Sequence, residues 1–175
     1  MKNRVAFVSF FVLFFLGAGF CAFPKSLSIQ IIQNNPGQDK IWDTSYFMEQ
    51  CITDYFFDNG QIVSSSPVWI SSTEEKNNSA LKASLSENLE GGMDYLVRVE
   101  IFYAPAGETP NPQALLLENV KKVQWKIYLV KTGIDVAGGS ATPESLTLDN
   151  NNELGLADFA GLVAYKINNG LKSLR

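Results

Sequence analysis

Residues 94–103 read DYLVRVEIFY, a run in which two kinds of side chain alternate. The odd-numbered positions are apolar or aromatic: Tyr95, Val97, Val99, Ile101 and Tyr103. Arg98 and Glu100 lie between them and would point to the other face. A period of two predicts a β-strand with one face turned toward a core. We expect the rest of the fold to be built around this strand.

Four further strands are predicted on either side of it. Downstream, KVQWKIYLV alternates in the same way, and the next three residues, KTG, form a tight turn into an antiparallel partner, IDVAGGSA. The glycines of that partner suggest a bulge or a bend. The four predicted strands cover 26–33, 61–70 with an interruption at Pro67, 122–130 and 134–141.

Three amphipathic helices are predicted from apolar residues at helical spacing, over residues 41–59, 71–92 and 152–173. Start and stop signals accompany the first two helices. Asp39 is expected to cap the first, which stops at Gly60, and either Ser72 or Ser79 to cap the second, which stops at the Gly-Gly pair that follows Glu90.

The order of these elements is strand, helix, strand, helix, three strands and a closing helix. That order predicts an α/β (α+β) fold, a two-layer sandwich in which helices cover one face of a mixed, mostly antiparallel sheet. No repeat or linker interrupts the pattern, so residues 23–175 are expected to form a single domain.

The N-terminus has the layout of a secretory signal peptide. Lys2 and Arg4 precede an apolar run, VAFVSFFVLFFL, which is followed by the small residues of GAGFCA. The run is shorter than the roughly 20 residues that span a bilayer, which disfavours a retained anchor. We therefore expect residues 1–22 to be removed and the protein to be exported, to the periplasm or the outer membrane.

The two cysteines have different expected roles. Cys21 could become the acylated first residue of a lipoprotein, although Phe20 stands where lipoprotein signals place a small residue. Membrane association is expected only if Cys21 is lipidated. If Cys21 is removed with the signal peptide, Cys51 is the cysteine that remains. It lies on the apolar side of a predicted helix, where a buried and inert thiol is expected.

Composition excludes several function classes. The net charge is −4, and the loss of Lys2 and Arg4 with the signal takes it to −6, which disfavours binding to nucleic acid. The chain contains no histidine, which excludes Ser-His-Asp and Cys-His catalysis and the usual zinc sites. No cofactor is expected.

Three short motifs match the signature of serine enzymes that are acylated by penicillin: Ser79-x-x-Lys82, Ser86-x-Asn88 and Lys131-Thr-Gly133. In those enzymes the motifs come from separate elements that border a cleft. Here the first two fall on one predicted helix and the third falls in a hairpin turn. The spacing argues against this chemistry.

Acidic residues leave a weaker enzymatic alternative, because glycoside hydrolysis needs two carboxylates. The pairs that sequence spacing offers are Glu74 with Glu75, Asp54 with Asp58, and Glu87 with Glu90. All of them are expected on solvated helix faces. The run DNNNE at 149–153 resembles the start of a calcium loop, but the required glycine and distal glutamate are missing, so we expect a helix cap.

The segment APAGETPNPQALLLENV at 104–120 is long for a hairpin connection, and long loops often carry binding surfaces. Its three consecutive leucines either fold back onto the core or meet a partner. With two aromatic residues near strand ends, they give the candidate contact residues Leu115, Leu116, Leu117, Tyr103 and Trp69.

Four stretches together resemble a group of small bacterial envelope domains: DYFFDNGQIVSSSPV, DYLVRVEIF, VQWKIYLVKTGIDVAGGSA and LADFAGLVAYKI. The similar domains are the LpoB-like activators of penicillin-binding proteins, the curli-secretion lipoprotein CsgG and the N-terminal domain of TolB. The resemblance implies a non-catalytic domain that docks onto another envelope protein. It transfers no binding residue to this chain.

These observations favour an exported accessory or adaptor domain, not an enzyme, that acts by protein–protein contact in the cell envelope. Two alternatives stay open: a carrier of a small apolar ligand or lipid between sheet and helices, and a glycan hydrolase with paired carboxylates.

Overall fold

A computed structural model describes residues 25–34, 39–103 and 113–174. The helices and strands are, in chain order, β1 (Ser26–Asn34), α1 (Asp43–Asp58), β2 (Ile62–Ile70), α2 (Glu74–Glu90), β3 (Tyr95–Tyr103), a 3-10 turn (Leu117–Asn119), β4 (Val120–Leu129), β5 (Ile134–Ala141) and α3 (Glu153–Ser173). The three helices and five strands predicted from sequence are confirmed, with boundaries that differ by a few residues. The expected signal peptide at 1–22, with Cys21, lies outside the described residues.

The five strands form one open sheet in the order β2-β1-β3-β4-β5. β1 pairs in parallel with β2 and β3, and β4 pairs antiparallel with β3 and β5. The expected mixed sheet is confirmed, and its pairings divide evenly between the two kinds. β3 lies in the centre, as its clear alternation indicated.

The main core lies between the sheet and two helices, α1 and α3. The odd-numbered side chains of β1, β3 and β4 point to this side, and α1 contributes Met48, Ile52 and Phe56. The buried stripe of α3 packs beside them and includes Leu156, Phe159, Val163, Ile167 and Leu171. This layer is the sandwich that the sequence predicts.

α2 lies on the opposite face of the sheet, which differs from the expectation that all helices share one face. There Leu81 and Leu85 pack against Leu96, Tyr128 and Val130. The physical reason is handedness, because strand–helix–strand crossovers between parallel strands are right-handed. The chain moves outward from β1 to β2 and then back across β1 to β3, so the two crossover helices must lie on opposite faces.

Both helix starts differ from the predicted caps. Trp42 precedes α1 and makes no side-chain cap. Its backbone N–H donates to the side chain of the buried Gln33 of β1 at 2.8 Å, so Gln33 and not Asp39 satisfies the start of this helix. α2 is capped by Thr73, whose hydroxyl accepts from the Lys76 N–H at 3.4 Å, one residue after the predicted Ser72.

The turn glycine of the β4–β5 hairpin has the role expected of it. Gly133 has φ +68° in the turn, a conformation that favours glycine. A register shift between Ile127 and Tyr128 shows that β5 does contain a bulge, but the extra residue is Val136 and not one of the glycines. A Cβ at Gly139 would lie 2.5 Å from the Trp125 ring, so the indole packs directly on the strand backbone.

Within the described parts of the chain, no helix combines the length and the apolar character that crossing a bilayer requires.

Candidate functional site

One end of the sheet gathers most of the loops, and we call it the loop edge: residues 39–42, 113–119 and 142–152. The parallel strands β1, β2 and β3 end there and β4 begins there, as the pairing of Tyr103 with Val120 shows. The start of α1 joins this edge through Thr44, whose hydroxyl lies 3.4 Å from the Ala114 carbonyl.

The three leucines predicted to contact a partner lie at the loop edge, in or beside the 3-10 turn. Leu117 is 3% exposed and belongs to the main core, whereas Leu115 and Leu116 are half-buried. Asn119 anchors this segment, because its side-chain amide donates to the Ala114 carbonyl at 2.8 Å. In this conformation a partner would reach Leu115 and Leu116 but not Leu117.

Tyr103 is a buried member of the core beneath the loop edge. Its ring lies 4.6 Å from the Trp42 ring, centroid to centroid, and its hydroxyl lies 2.8 Å from the Ser45 hydroxyl. Ser45 also donates to Gln33 Oε1 at 3.0 Å. Burial raises the pKa of Tyr103, so the phenol stays protonated and keeps its hydrogen bond. Its observed role is to hold α1 against β1 and β3.

Trp69 lies near the end of the edge strand β2 and is 41% exposed. It pairs with Ile32 of β1 and shares a face with it. That face is the α2 side of the sheet, whereas Leu117 and Tyr103 belong to the core on the other side. The structure therefore does not bring Trp69 together with the other predicted contact residues.

The turn before α3 and the first turn of that helix expose three leucines that the sequence analysis did not single out. Leu148 is 99% exposed, Leu154 is 77% exposed and Leu146 is 51% exposed. The turn is well ordered by hydrogen bonds, since Asn150 accepts from the Thr147 N–H at 2.8 Å and donates to the Ser145 carbonyl at 3.1 Å. A sequence signal existed: leucines alternate with polar residues in SLTLD, outside any helix or strand.

A hydrogen bond joins this turn to the predicted leucine segment. The Glu118 backbone N–H donates to Asn151 Oδ1 at 3.0 Å. The exposed leucines of the turn and the half-buried Leu115 and Leu116 therefore belong to the same end of the molecule.

The three penicillin-type motifs do not form a site. Ser79, Lys82 and Ser86 are exposed on α2, and Asn88 is buried on the same helix, where its amide donates to the Ser84 carbonyl at 2.7 Å. The Lys-Thr-Gly motif lies in the β4–β5 turn. The argument from spacing is confirmed.

The calcium-like run at 149–153 caps a helix, as predicted. Asn152 is the N-cap of α3, and its side-chain oxygen accepts from the Gly155 N–H at 3.0 Å. Across residues 25–34, 39–103 and 113–174, no three His, Cys, Asp or Glu side chains are placed to hold a metal ion.

A groove of about 660 Å³ lies on the α2 side of the sheet, between α2 and β5. Its lining is mixed: the polar side chains are Asn77, Arg98, Glu100, Gln124, Lys126, Tyr128 and Asp135, and Ile32, Trp125, Val136 and Ala137 contribute apolar surface. It lies on the outer face of the sheet and not in the core between sheet and helices, where a carrier of an apolar ligand would need its cavity.

The carboxylates of the structure do not support glycan hydrolysis. All members of the three sequence-spaced pairs are exposed on α1 or α2. Glu100 on β3 and Asp135 on β5 both line the groove, with β4 between their strands. Their pairing partners on β4, Gln124 and Tyr128, are four residues apart. Strand geometry separates the backbones of Glu100 and Asp135 by about 17 Å, and the Asp135 carboxylate is held by Lys126 in an ion pair of 3.1 Å.

Cys51 is a free, half-buried thiol that packs against the main core. Burial raises its pKa, and the nearby Asp54 adds to this effect, so less thiolate is present at neutral pH.

We expect Cys51 in a Cys21→Ser background to react with iodoacetamide several-fold more slowly than glutathione at pH 7.5. Mass spectrometry of quenched samples gives the rate, and the same chain in concentrated urea is the control, where the rate should rise to that of a free thiol. Equal rates in the folded and unfolded chains would contradict a protected thiol.

Comparison with known proteins gives one family match. A family model described as "Uncharacterised protein" matches residues 26–167. The comparison with curated proteins gave no significant match.

Several solved structures of bacterial proteins are similar to this chain at low sequence identity. Lipoprotein GNA1162 from Neisseria meningitidis is 13% identical, with a TM-score of 0.47 over 83% of this chain and 99% of that one. The PelC dodecamer from Paraburkholderia phytofirmans is 16% identical, with a TM-score of 0.46 over 85% of this chain and 88% of that one. The LpoB C-terminal domain from Escherichia coli is 13% identical, with a TM-score of 0.43 over 77% and 93%. An LpoB domain is thus among the solved structures to which this chain is similar.

Proposed function

We propose that this chain, which belongs to the family described as "Uncharacterised protein", is an exported, non-catalytic accessory domain of the bacterial cell envelope. It acts by docking its loop edge onto another envelope protein. The proposed contact consists of Leu146, Leu148 and Leu154, with Leu115 and Leu116 beside them. Leu117 and Tyr103 support this surface from the core, and Trp69 lies outside it.

The observation that carries the proposal is the exposure of Leu148 on an ordered turn. Loop residues that face water are usually polar, and a leucine gains about 1.5–3 kcal/mol when it is buried. Leu148 is 99% exposed, while hydrogen bonds of Thr147 and Asn150 fix the turn that carries it. Exposed apolar side chains grouped at one end of a domain are typical of protein contact surfaces.

Export is supported by the N-terminal sequence. Two basic residues, an apolar run and small residues follow one another over residues 1–22, in the order of a signal peptide. A non-catalytic role agrees with the absence of histidine from the chain and with the exposed positions of the sequence-spaced acidic pairs on α1 and α2.

The test is photo-crosslinking in bacterial cells that express the full chain with a C-terminal tag. Benzoylphenylalanine replaces Leu148, and the control carries it at Phe57, which is 70% exposed but lies at the other end of the molecule. We expect one discrete adduct from position 148 and none of the same mass from position 57.

A triple variant, Leu146→Ser, Leu148→Ser and Leu154→Ser, serves to measure the contact. It should lower recovery of the partner identified by crosslinking, measured by co-purification with the tagged chain without crosslinker, by about tenfold or more, as loss of central contacts does. The matched variant Leu89→Ser, 56% exposed on α2, should not. Absence of any adduct at 148, or equal recovery with the triple variant, would refute docking through the loop edge.

A further inference from the structure

Arg98 is a half-buried cation in the groove with no partner for its hydrogen bonds. Among the residues that the structure describes, its guanidinium donates no hydrogen bond and has no carboxylate within 4.0 Å. Burial lowers the pKa of Arg98, although the charge of nearby Glu100 acts in the opposite direction. A guanidinium has five N–H donors in a planar fork, and leaving such donors unused in a partly dehydrated site costs free energy.

A second cation lies directly opposite. Lys126 of β4 pairs with Arg98 of β3 in the antiparallel register, so the two cations occupy neighbouring positions on one face. Like charges at such positions destabilise a sheet. Asp135 compensates the charge of Lys126 through an ion pair of 3.1 Å, but it makes no such ion pair with Arg98. The floor of the groove thus keeps a cationic position that costs stability, as sites for an anionic group often do.

An acidic group lies two residues along the same strand. Glu100 shares the face of Arg98 at a backbone distance of about 7 Å, two residues of an extended strand. Its Oε1 accepts a hydrogen bond from the Asn34 amide at 3.0 Å. Within the described ranges its Oε2 has no such partner, so one carboxylate oxygen is available to a donor in the groove.

We propose that this groove binds a small zwitterion, an amino acid or a short peptide with free termini. The ligand carboxylate lies against Arg98, the residue type suited to bidentate binding of carboxylates, with Lys126 opposite. The ligand ammonium lies toward Glu100. The volume of about 660 Å³ is within the range of small-ligand sites. Two cations and two carboxylates line the groove, so a neutral ligand with both charges fits better than a phosphate.

This inference concerns a different surface from the loop edge, and each can fail without the other. The experiment is isothermal titration of the full chain, purified from the envelope fraction, with four probes at millimolar concentrations. These are trialanine, N-acetyl-trialanine, trialanine amide and inorganic phosphate. We expect trialanine to bind most tightly, the acetylated peptide more weakly and the amide weakest of the three peptides.

Two groove variants and one control locate the site. Arg98→Gln should weaken trialanine binding about tenfold to a hundredfold, the range for a lost charged hydrogen-bond pair. Glu100→Gln should abolish the preference for trialanine over its acetylated form. Lys82→Gln, an exposed cation on α2 that does not line the groove, should change neither.

A thermal melt without ligand separates binding from structure. Arg98→Gln removes the like-charge opposition to Lys126, so its melting temperature should not fall. A lower melting temperature would make Arg98 a structural residue and overturn the proposal. So would no saturable binding of trialanine, equal binding of the amide, binding of phosphate alone, or full affinity in Arg98→Gln. If that variant does not fold, the ranking of the four probes on the native chain decides.

Discussion

Trp42→Ala is expected to lower the free energy of unfolding by about 3–5 kcal/mol, the range for an aromatic side chain removed from a core. Trp42 is 1% exposed and packs on Tyr103 with ring centroids 4.6 Å apart. Its backbone N–H bonds to Gln33, and alanine keeps that bond. The decrease in the free energy of unfolding therefore comes from the cavity left beside Tyr103 and not from a disrupted start of α1.

Urea unfolding followed by circular dichroism measures this effect, with Phe57→Ala as the matched control. Phe57 is also an aromatic residue of this region of the chain, but it is 70% exposed, so its removal should change stability by less than about 0.5 kcal/mol. A loss below about 1 kcal/mol for Trp42→Ala would contradict the close packing of Trp42 in the core.

Gly155→Ala is expected to cost about 1–3 kcal/mol, the usual range for overpacking. A Cβ at position 155 would overlap the backbone carbonyl of Asn150, because the turn that presents Leu148 folds tightly over the start of α3. If the turn moves aside, the hydrogen bond from the Gly155 N–H to Asn152 weakens as well, and an N-cap contributes about 1 kcal/mol.

The same helix supplies the opposite case. A Cβ at Gly161 meets nothing within 4 Å, so Gly161→Ala should stabilise the protein by about 0.5–1 kcal/mol through helix propensity alone. Thermal melts of the two variants should shift in opposite directions. A shift in the same direction for both would mean that Asn150 does not lie against α3 as described.

Alternation and helical spacing were sufficient to predict every strand and helix, because most of these segments bury one face. The run DYLVRVEIFY is the clearest case: all its odd-numbered residues from Val97 to Tyr103 are buried, and Arg98 and Glu100 are not. The hairpin was equally readable, because Gly133 has the positive φ that its turn needs.

The position of α2 and the cap of α1 could not be read from local pattern. The face that a crossover helix covers depends on strand order, and strand order is a long-range property. Gln33 caps α1 from the end of a buried strand, nine residues before the amide that it accepts from, so no spacing rule for helix starts identifies it.

The candidate contact surface was predicted in part. The leucine segment does belong to the loop edge, but its apolar run is also what holds it against the core, so Leu117 is buried. Leu148 was missed because it lies between the predicted strand at 134–141 and the predicted helix at 152–173, outside any periodic pattern. Its exposure depends on the turn that Thr147 and Asn150 close, and that turn is visible once its hydrogen bonds are known.

The length of β1 determines how far the loop edge lies from Lys25, where the described part of the domain begins. Lys25 donates a hydrogen bond to the Leu171 carbonyl at the far end of α3, and nine residues of β1 separate this end from the loop edge. At the rise of a β-strand that is about 30 Å. The exposed leucines and the point where the chain enters the domain thus lie at opposite ends of the sheet.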